Sequence, residues 1–246
     1  MSQALPLKKI DLTPIVKQLV TEDDEPVDNL FTEKQQRLLT EPLYSSWTPQ
    51  PDEDHPDVKR PFLAAANVGV FFSVHQLPLV PDMFLSLDIE VGKDWNADET
   101  RSYFVWELGK VPEAVVEIVS NKEGNELTSK MKRYAEWGIL YYVVFDPFHE
   151  LSETTLCVYE LGFGKRLRPR KDFLLPTLGL SLTLWEGEYE GVRDTWLRWC
   201  DQDGRIIPTG KEARDLEAAR ADNAEAEVER LRAELAQLTA RRRSKK

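Results

Sequence analysis

The chain has 246 residues, a hydrophobic content of 41% and a net charge of −11, and this composition excludes a disordered chain and a general nucleic-acid binder. Its two cysteines exclude a disulfide framework and a cysteine-rich zinc site, and no apolar stretch approaches the roughly 20 residues that span a bilayer. The N-terminus has no basic segment followed by an apolar run, so we expect a cytoplasmic protein with both thiols free.

The negative charge is unevenly distributed. Residues 205–246 contain 11 Lys and Arg against 8 Asp and Glu, a local charge of +3, which leaves −14 on residues 1–204. Such an acidic body repels the phosphates of nucleic acids, which bind proteins mainly through Lys and Arg. Any contact with nucleic acid is therefore expected to need a local site, bound divalent cations or another subunit.

Residues 1–28 are polar and acidic and are predicted to be a peripheral extension. A helix is predicted to begin near Thr32, because Thr32 and Gln35 have the spacing of a capping box. Pro42 is expected to end or kink this helix. A loop rich in Pro and Asp follows over residues 49–61.

The middle of the chain contains apolar runs of strand length, rich in β-branched and aromatic residues. The predicted strands are residues 62–73, 83–88, 114–119, 141–145 and 156–161. Residues 173–185 are predicted to be a last strand with edge character, because they contain Pro176 and Gly179. The central runs are almost wholly apolar, which indicates strands of a covered sheet.

A helix is predicted over residues 125–137, with Gly138 ending it. It lies between the strands predicted at 114–119 and 141–145. Strand, helix and strand in this order predict a βαβ unit, so residues 29–204 are expected to form an α/β domain with helices flanking the sheet.

The C-terminal segment, residues 211–246, has no Pro or Gly and is rich in Ala, Glu, Arg and Leu. Its apolar residues recur at spacings of three and four, namely Ala221, Ala224, Val228, Leu231, Leu235 and Leu238. This pattern is an a and d seam of about three heptads, which predicts a coiled-coil helix and a homodimer. The basic residues at its end suit the C-terminal pole of a helix dipole better than a nucleic-acid-binding arm.

Two carboxylates occupy strand positions where burial would be costly. Glu117 is the one acid within the apolar run 114–119, and Asp82 opens the run that follows Pro81. A carboxylate buried among valines costs several kcal/mol unless it is paired or holds a metal. Both residues are therefore candidate ligands of a hard divalent cation such as Mg²⁺.

Lys130 is a lysine on the predicted buried stripe of the helix, three residues after Leu127. It has two interpretations. Glu126 and Lys130 have the i, i+4 spacing of an ordinary helix ion pair. Alternatively, the apolar stem of Lys130 runs along the stripe and brings its ammonium group to the strand of Glu117.

Three other features are assigned structural roles. Asp146 and Pro147 fit a turn that ends a strand. The histidines, His55, His75 and His149, have no metal-ligand spacing, and the aromatics Trp196 and Trp199, with Cys200, are expected in the core rather than on a base-stacking surface.

The residues from Pro112 to Ser120, followed by Lys130, Tyr134, Gly138 and the run 141–147, resemble the Uma2 family of restriction-endonuclease-like proteins. The resemblance covers roughly residues 30–200 and includes the Pro81-Asp82 element and the segment 179–185. It implies the fold of the PD-(D/E)xK nuclease superfamily, which is a central mixed sheet flanked by helices with a divalent metal held by Asp and Glu.

The resemblance implies roles for three residues. Asp82 matches the motif aspartate and Glu117 the motif glutamate. The usual motif lysine follows the glutamate by two residues, but Val119 stands there, and Lys130 matches a lysine displaced to the following helix. Glu126 stands where relatives usually carry Asp.

These residues and the resemblance together predict a Mg²⁺- or Mn²⁺-dependent DNA endonuclease, with Asp82 and Glu117 as metal ligands and Lys130 as the third catalytic residue. The alternative is a catalytically inactive interaction module on a nuclease fold, which acts through its coiled-coil segment. Val119 in the lysine position and the acidic body favour this alternative, and a fold alone does not confer a function.

Overall fold

The structure, a computed structural model, describes residues 13–16, 19, 29–51, 57–92, 100–120 and 126–243. The chain divides into two compact units, Met1–Ile207 and Pro208–Lys246. Most of the predicted acidic extension and the tip of the loop at 52–56 lie outside the described residues. The domain boundaries at 28, 204 and 211 stay predictions.

The described part of the chain contains five α-helices and eleven strands. The helices are α1 (Thr13–Val16), α2 (Leu30–Ser46), α3 (Val105–Leu108), α4 (Met131–Trp137) and α5 (Gly210–Arg243), and a π-helical turn at Glu126–Lys130 leads directly into α4. The strands are β1 (Phe62–Ala65), β2 (Val70–Phe71), β3 (Met83–Leu87), β4 (Tyr103–Phe104), β5 (Ala114–Ile118), β6 (Tyr141–Phe145), β7 (Leu156–Gly162), β8 (Arg166–Pro169), β9 (Leu174–Leu175), β10 (Leu180–Tyr189) and β11 (Val192–Cys200).

A six-stranded mixed sheet forms the centre of the first unit, in the order β1-β3-β5-β6-β7-β8. Only β5 and β6 run parallel within it, and they are the strands of the predicted βαβ unit. The other neighbours are antiparallel. The prediction of an α/β fold with a central mixed sheet and flanking helices is therefore confirmed, whereas the coiled coil of α5 stays a prediction.

The two faces of the central sheet bury different partners, because successive side chains of a strand point to opposite sides. Val116 and Ile118 of β5 pack in a cluster with residues of α2, β10 and β11. Val115 and Val119 lie in a second cluster with Tyr134 and Trp137 of α4. Glu117 lies two residues from both Val115 and Val119, so its side chain points to the same face, which α4 covers.

The start of α2 differs from the prediction. Asn29 caps the helix, and its side chain accepts a hydrogen bond from the backbone N–H of Thr32 at 2.9 Å. The capping box of Thr32 and Gln35 was wrong because Gln35 is buried and exchanges two hydrogen bonds with the backbone of Leu197. The helix also continues past Pro42 to Ser46.

Two predicted strands were wrong in extent. The run 62–73 is divided into β1 and β2, with Asn67 between them in the left-handed region at φ 54°. The run 173–185 becomes β9, a 3₁₀ turn and β10, and Gly179 ends that turn at φ 65°. Strand β10 is central in the three-stranded sheet β11-β10-β9 rather than an edge.

Strands β4, β8 and β11 were missed by the sequence prediction, and β4 has only two residues. Strand β8 consists of alternating basic residues and contains a Pro, and β11 begins with exposed, charged residues before its last five residues become buried. The burial of Trp196, Trp199 and Cys200 confirms that they are core residues.

Candidate functional site

Asp82 and Glu117 lie at one edge of the central sheet, where the inner strand β3 begins and its neighbour β5 ends. Met83 of β3 pairs with Val116 of β5 in antiparallel register, so Asp82 lies level with Glu117 on the neighbouring strand. The backbone N–H of Ile118 donates to Asp82 Oδ2 at 2.7 Å, which fixes this carboxylate directly beside the end of β5. The other oxygen, Asp82 Oδ1, accepts from the side-chain amide of Gln36 at 3.0 Å.

Glu117 is 1% exposed and has two side-chain partners on the covering helix. The hydroxyl of Tyr134 donates to Glu117 Oε1 at 2.7 Å, and the ammonium group of Lys130 donates to Oε2 at 2.9 Å. These contacts satisfy both oxygens of a carboxylate that could not otherwise be buried among valines. The strong partner that the sequence required for Glu117 is thus supplied by the helix.

Lys130 forms both of the contacts that the sequence left open, one with Glu117 on the strand and one with Glu126 on its own helical turn. Its Nζ lies 2.9 Å from Glu117 Oε2 and 3.1 Å from Glu126 Oε1. The side chain of Lys130 is 30% exposed, while that of Glu117 is buried. Lys130 therefore bridges a buried carboxylate of the sheet and a carboxylate of its own helical turn, with its ammonium group within reach of solvent.

The electrostatics of the site are asymmetric. Burial, together with the charge of Asp82, raises the pKa of Glu117 from 4.5 to about 7, although Lys130 and Tyr134 act in the opposite direction. Burial alone would lower the pKa of Lys130, but the charges of Glu117 and Glu126 outweigh it and raise that pKa. At neutral pH the lysine is therefore a cation, and its ammonium group contacts the side chains of Glu117 and Glu126.

The π-helical turn Glu126–Lys130 positions the lysine. The hydroxyl of Tyr142, from β6, donates to the backbone carbonyl of Glu126 at 2.8 Å and so ties the turn to the sheet. Glu126 Oε2 is buried and has no hydrogen-bond partner among the residues that the structure describes. Single π turns are rare and occur frequently at functional sites.

A family model matches residues 26–185, which is most of the chain; it is named Uma2 and described as "Putative restriction endonuclease". The chain belongs to the Uma2 family. No curated protein and no solved structure matches it. Among the described residues, no helix is long and apolar enough to cross a membrane.

The Uma2 chain brings all three predicted site residues into one cluster. Asp82, directly before β3, lies beside Glu117 of β5, and Lys130 contacts Glu117 directly. Val119, which stands in the usual position of the motif lysine, is 1% exposed within the apolar cluster below α4. The ammonium group of this Uma2 protein thus reaches the glutamate from the helix rather than from the strand.

Other polar residues singled out in the sequence have structural roles. Asp146 is buried after β6, and its carboxylate accepts the backbone N–H groups of Glu150, Leu151 and Ser152, which confirms a strand-ending turn. No group of three or more His, Cys, Asp or Glu residues suited to a metal ion occurs in the described part of the chain. His55 lies outside the described residues.

The sequence interpretation missed Gln36, which is buried and holds Asp82. A usable signal was present, because Gln36, Leu39 and Leu43 follow one face of α2 at spacings of three and four. A polar residue on a buried stripe is the criterion that selected Lys130. Tyr134 was named in the sequence as part of the family resemblance, but its hydrogen bond to Glu117 was not predicted.

Proposed function

We propose that this Uma2 protein is a divalent-metal-dependent nuclease that hydrolyses phosphodiester bonds in DNA. The observation that carries the proposal is the contact of Lys130 with Glu117, beside Asp82, at one edge of the sheet. Two carboxylates and a cation from separate elements form a set suited to phosphate chemistry, and the family match supports the same class of reaction.

Asp82 and Glu117 fit the role of metal ligands. They lie level on adjacent strands, and the charge of Asp82 contributes to the raised pKa of Glu117. Mg²⁺ and Mn²⁺ accept one or two protein carboxylates and keep waters in their remaining positions. When bound, such an ion would offset the repulsion of the carboxylates, stabilise the charge that develops on the phosphate and lower the pKa of a bound water.

Lys130 is suited to an electrostatic role rather than to that of a general base. Its raised pKa keeps the ammonium group protonated at neutral pH, so it has no lone pair to accept a proton. Its N–H bonds can stabilise negative charge on a phosphate oxygen or orient the attacking water. Because Glu126 also holds Lys130, the lysine keeps an anchor when Glu117 binds a cation.

Gln36 would act as a positioning residue through Asp82. We expect Gln36→Leu to weaken Mn²⁺ binding by about 10- to 100-fold, as the loss of a hydrogen bond behind a metal ligand typically does. Isothermal titration calorimetry measures this affinity. Thr40→Ala, one turn further along α2, is the control and should bind Mn²⁺ as the wild type does; equal affinities for Gln36→Leu and the wild type would rule out the role.

A basic groove gives the acidic protein a local surface for phosphate groups. It lies between α4 and the hairpin of β7 and β8, and its lining contains three cations, Lys132, Lys165 and Arg166, against one acid, Glu136. Thr128, two residues before Lys130, also lines it. Arg166 is exposed, and it lies on a strand that pairs with β7 only.

Replacing the three groove cations with glutamine is expected to weaken duplex DNA binding uniformly across sequences. If each contacts one phosphate, the slope of log K against log salt becomes shallower by roughly 0.9 per cation. Fluorescence anisotropy in a Glu117→Gln background, which blocks cleavage, measures the slope. The matched control replaces three exposed cations elsewhere, Lys59, Arg193 and Arg205; a similar change in this control would show that only net charge matters.

The direct test of the function is cleavage of plasmid DNA by the purified protein. We expect cleavage with Mg²⁺ or Mn²⁺, complete loss of cleavage with a chelator, and recovery when the metal is restored. Asp82→Ala and Glu117→Ala should each be inactive. If the folded wild-type protein cuts neither duplex nor single-stranded DNA with either metal, the proposal fails and the inactive interaction module is the remaining interpretation.

The proposal extends to the state in which the protein acts. Nucleases that cut both strands of a duplex often pair two sites, so we propose a homodimer formed through the coiled-coil helix α5. We also propose a cytoplasmic location, because Cys157 and Cys200 are both free thiols.

A further inference from the structure

Helix α5 has a narrow apolar seam that is open to solvent. Val228 and Leu231 are each 46% exposed, and Leu235 is 63% exposed. Ala221 and Ala224 extend the same seam by a further heptad and are also exposed. A seam of this kind, repeating every three and four residues, is the surface that a second helix covers in a coiled coil.

The central heptad of the seam favours two strands. When Val228 is assigned to position a, Leu231 occupies position d, and this pairing of a β-branched residue at a with Leu at d is typical of parallel dimers. The other a positions are then Ala221 and Leu235. The flanking positions then follow from the sequence. Arg220 and Glu227 occupy positions g, and Glu225 and Arg232 occupy positions e.

The charges at these flanking positions are complementary in a parallel pair of identical helices. Residue g of one helix meets the following residue e of the other, so Arg220 faces Glu225 of the partner subunit and Glu227 faces Arg232 of the partner subunit. Twofold symmetry doubles these contacts. An antiparallel pair on the same seam would keep an attraction between Glu225 and Arg232 of the partner subunit, but it would bring Glu227 next to Glu234 of the partner subunit, which is repulsive. The parallel pair has attractive contacts at both of these flanking positions.

Contacts within one helix do not compete strongly with these pairs. Arg220 Nη1 lies 3.7 Å from Glu217 Oε2, and Arg230 Nη2 lies 2.7 Å from Glu227 Oε1. All four side chains are between 49% and 78% exposed. Exposed ion pairs of this type contribute little, so they can rearrange at small cost. We propose that α5 pairs with α5 of a second copy of this chain as a parallel, two-stranded coiled coil with these g to e contacts.

Two full-length charge variants test the pairing. Variant A carries Arg220→Glu and Arg232→Glu, and variant B carries Glu225→Arg and Glu227→Arg, so each alone has like charges at every g to e contact. We expect each variant to dissociate about a hundredfold more readily than the wild type, since four weak attractions become repulsions. Their mixture should form a heterodimer of wild-type affinity, as measured by light scattering and analytical ultracentrifugation.

A matched control places the same charge change on the outer face of α5. Asp222→Arg with Glu229→Arg alters the net charge as variant B does, but both positions face away from the seam. This control should remain dimeric. If it dissociates as variant B does, or if variants A and B fail to pair when mixed, the proposed contacts are wrong.

Cysteine cross-linking tests the orientation. Leu231→Cys at position d should form a covalent dimer on oxidation, because equivalent residues meet in a parallel pair. Ala233→Cys, on the outer face, should not cross-link beyond the wild-type background. A wild-type chain that stays monomeric at micromolar concentration, or a dimer in which Leu231→Cys fails to cross-link, overturns the proposal, and neither readout depends on nuclease activity.

Discussion

Lys130→Ala is expected to lower the rate of DNA cleavage by about 10²- to 10³-fold, the usual cost of removing one donor that stabilises transition-state charge. The loss should appear mainly in kcat, because Glu117 and Glu126 hold the ammonium group beside the site carboxylates and not in the basic groove that is proposed to bind DNA. Single-turnover kinetics with Mg²⁺ measure the effect. Lys130→Arg keeps the charge and should retain part of the activity.

Lys132→Ala provides the matched control for this variant. Lys132 belongs to the same helix but is 79% exposed, and its ion-pair partner is Glu136 rather than the site carboxylates. It should keep kcat and lose only DNA affinity as a groove residue. If Lys130→Ala and Lys132→Ala have the same kinetics, the ammonium group of Lys130 has no special part in the chemistry.

Glu117→Gln is expected to abolish cleavage. At pH values above 7 and without metal, this variant is also expected to have a higher melting temperature than the wild type. Glu117 has its pKa raised from 4.5 to about 7, so the folded protein holds this proton more tightly than the unfolded chain does. The stability that this proton contributes is present below pH 4.5 and is lost as the pH rises to about 7. Glutamine removes that loss, because it carries no charge at any pH.

The difference in melting temperature between Glu117→Gln and the wild type should therefore grow between pH 4.5 and pH 7 and level off above it. Added Mn²⁺ should raise the melting temperature of the wild type and leave that of Glu117→Gln unchanged, since a ligand stabilises only the state that binds it. Glu136→Gln, at an exposed position on α4, should show neither effect. A difference in melting temperature that does not change with pH would contradict the raised pKa of Glu117, which is caused by its burial and by the charge of Asp82.

The core of the site could be predicted from the sequence because each residue violates a local rule. Glu117 is an acid within an apolar strand, and Lys130 is a cation on the buried stripe of a helix. The βαβ unit then limits where the helix can lie relative to the strand that precedes it. These local rules and the short connection are enough to bring the two side chains together.

Features that depend on distant packing were not predictable in the same way. Gln36 reaches Asp82 across 46 positions of the chain, and Gln35 reaches the backbone of Leu197 across 162. Both contacts depend on how α2 crosses the sheets, which no local pattern specifies. The π turn at Glu126 likewise has no sequence signature, because it is maintained by the contact between Tyr142 and a backbone carbonyl.

The most direct test of the site is a crystal structure of the wild-type protein soaked in Mn²⁺, with the ion located by its anomalous scattering. We expect a peak bound by the carboxylates of Asp82 and Glu117 at about 2.0–2.3 Å, with Lys130 still held by Glu126 next to it. An ion bound elsewhere, or no ion while Lys130 keeps its contact with Glu117, would contradict a metal-dependent active site at this edge of the sheet.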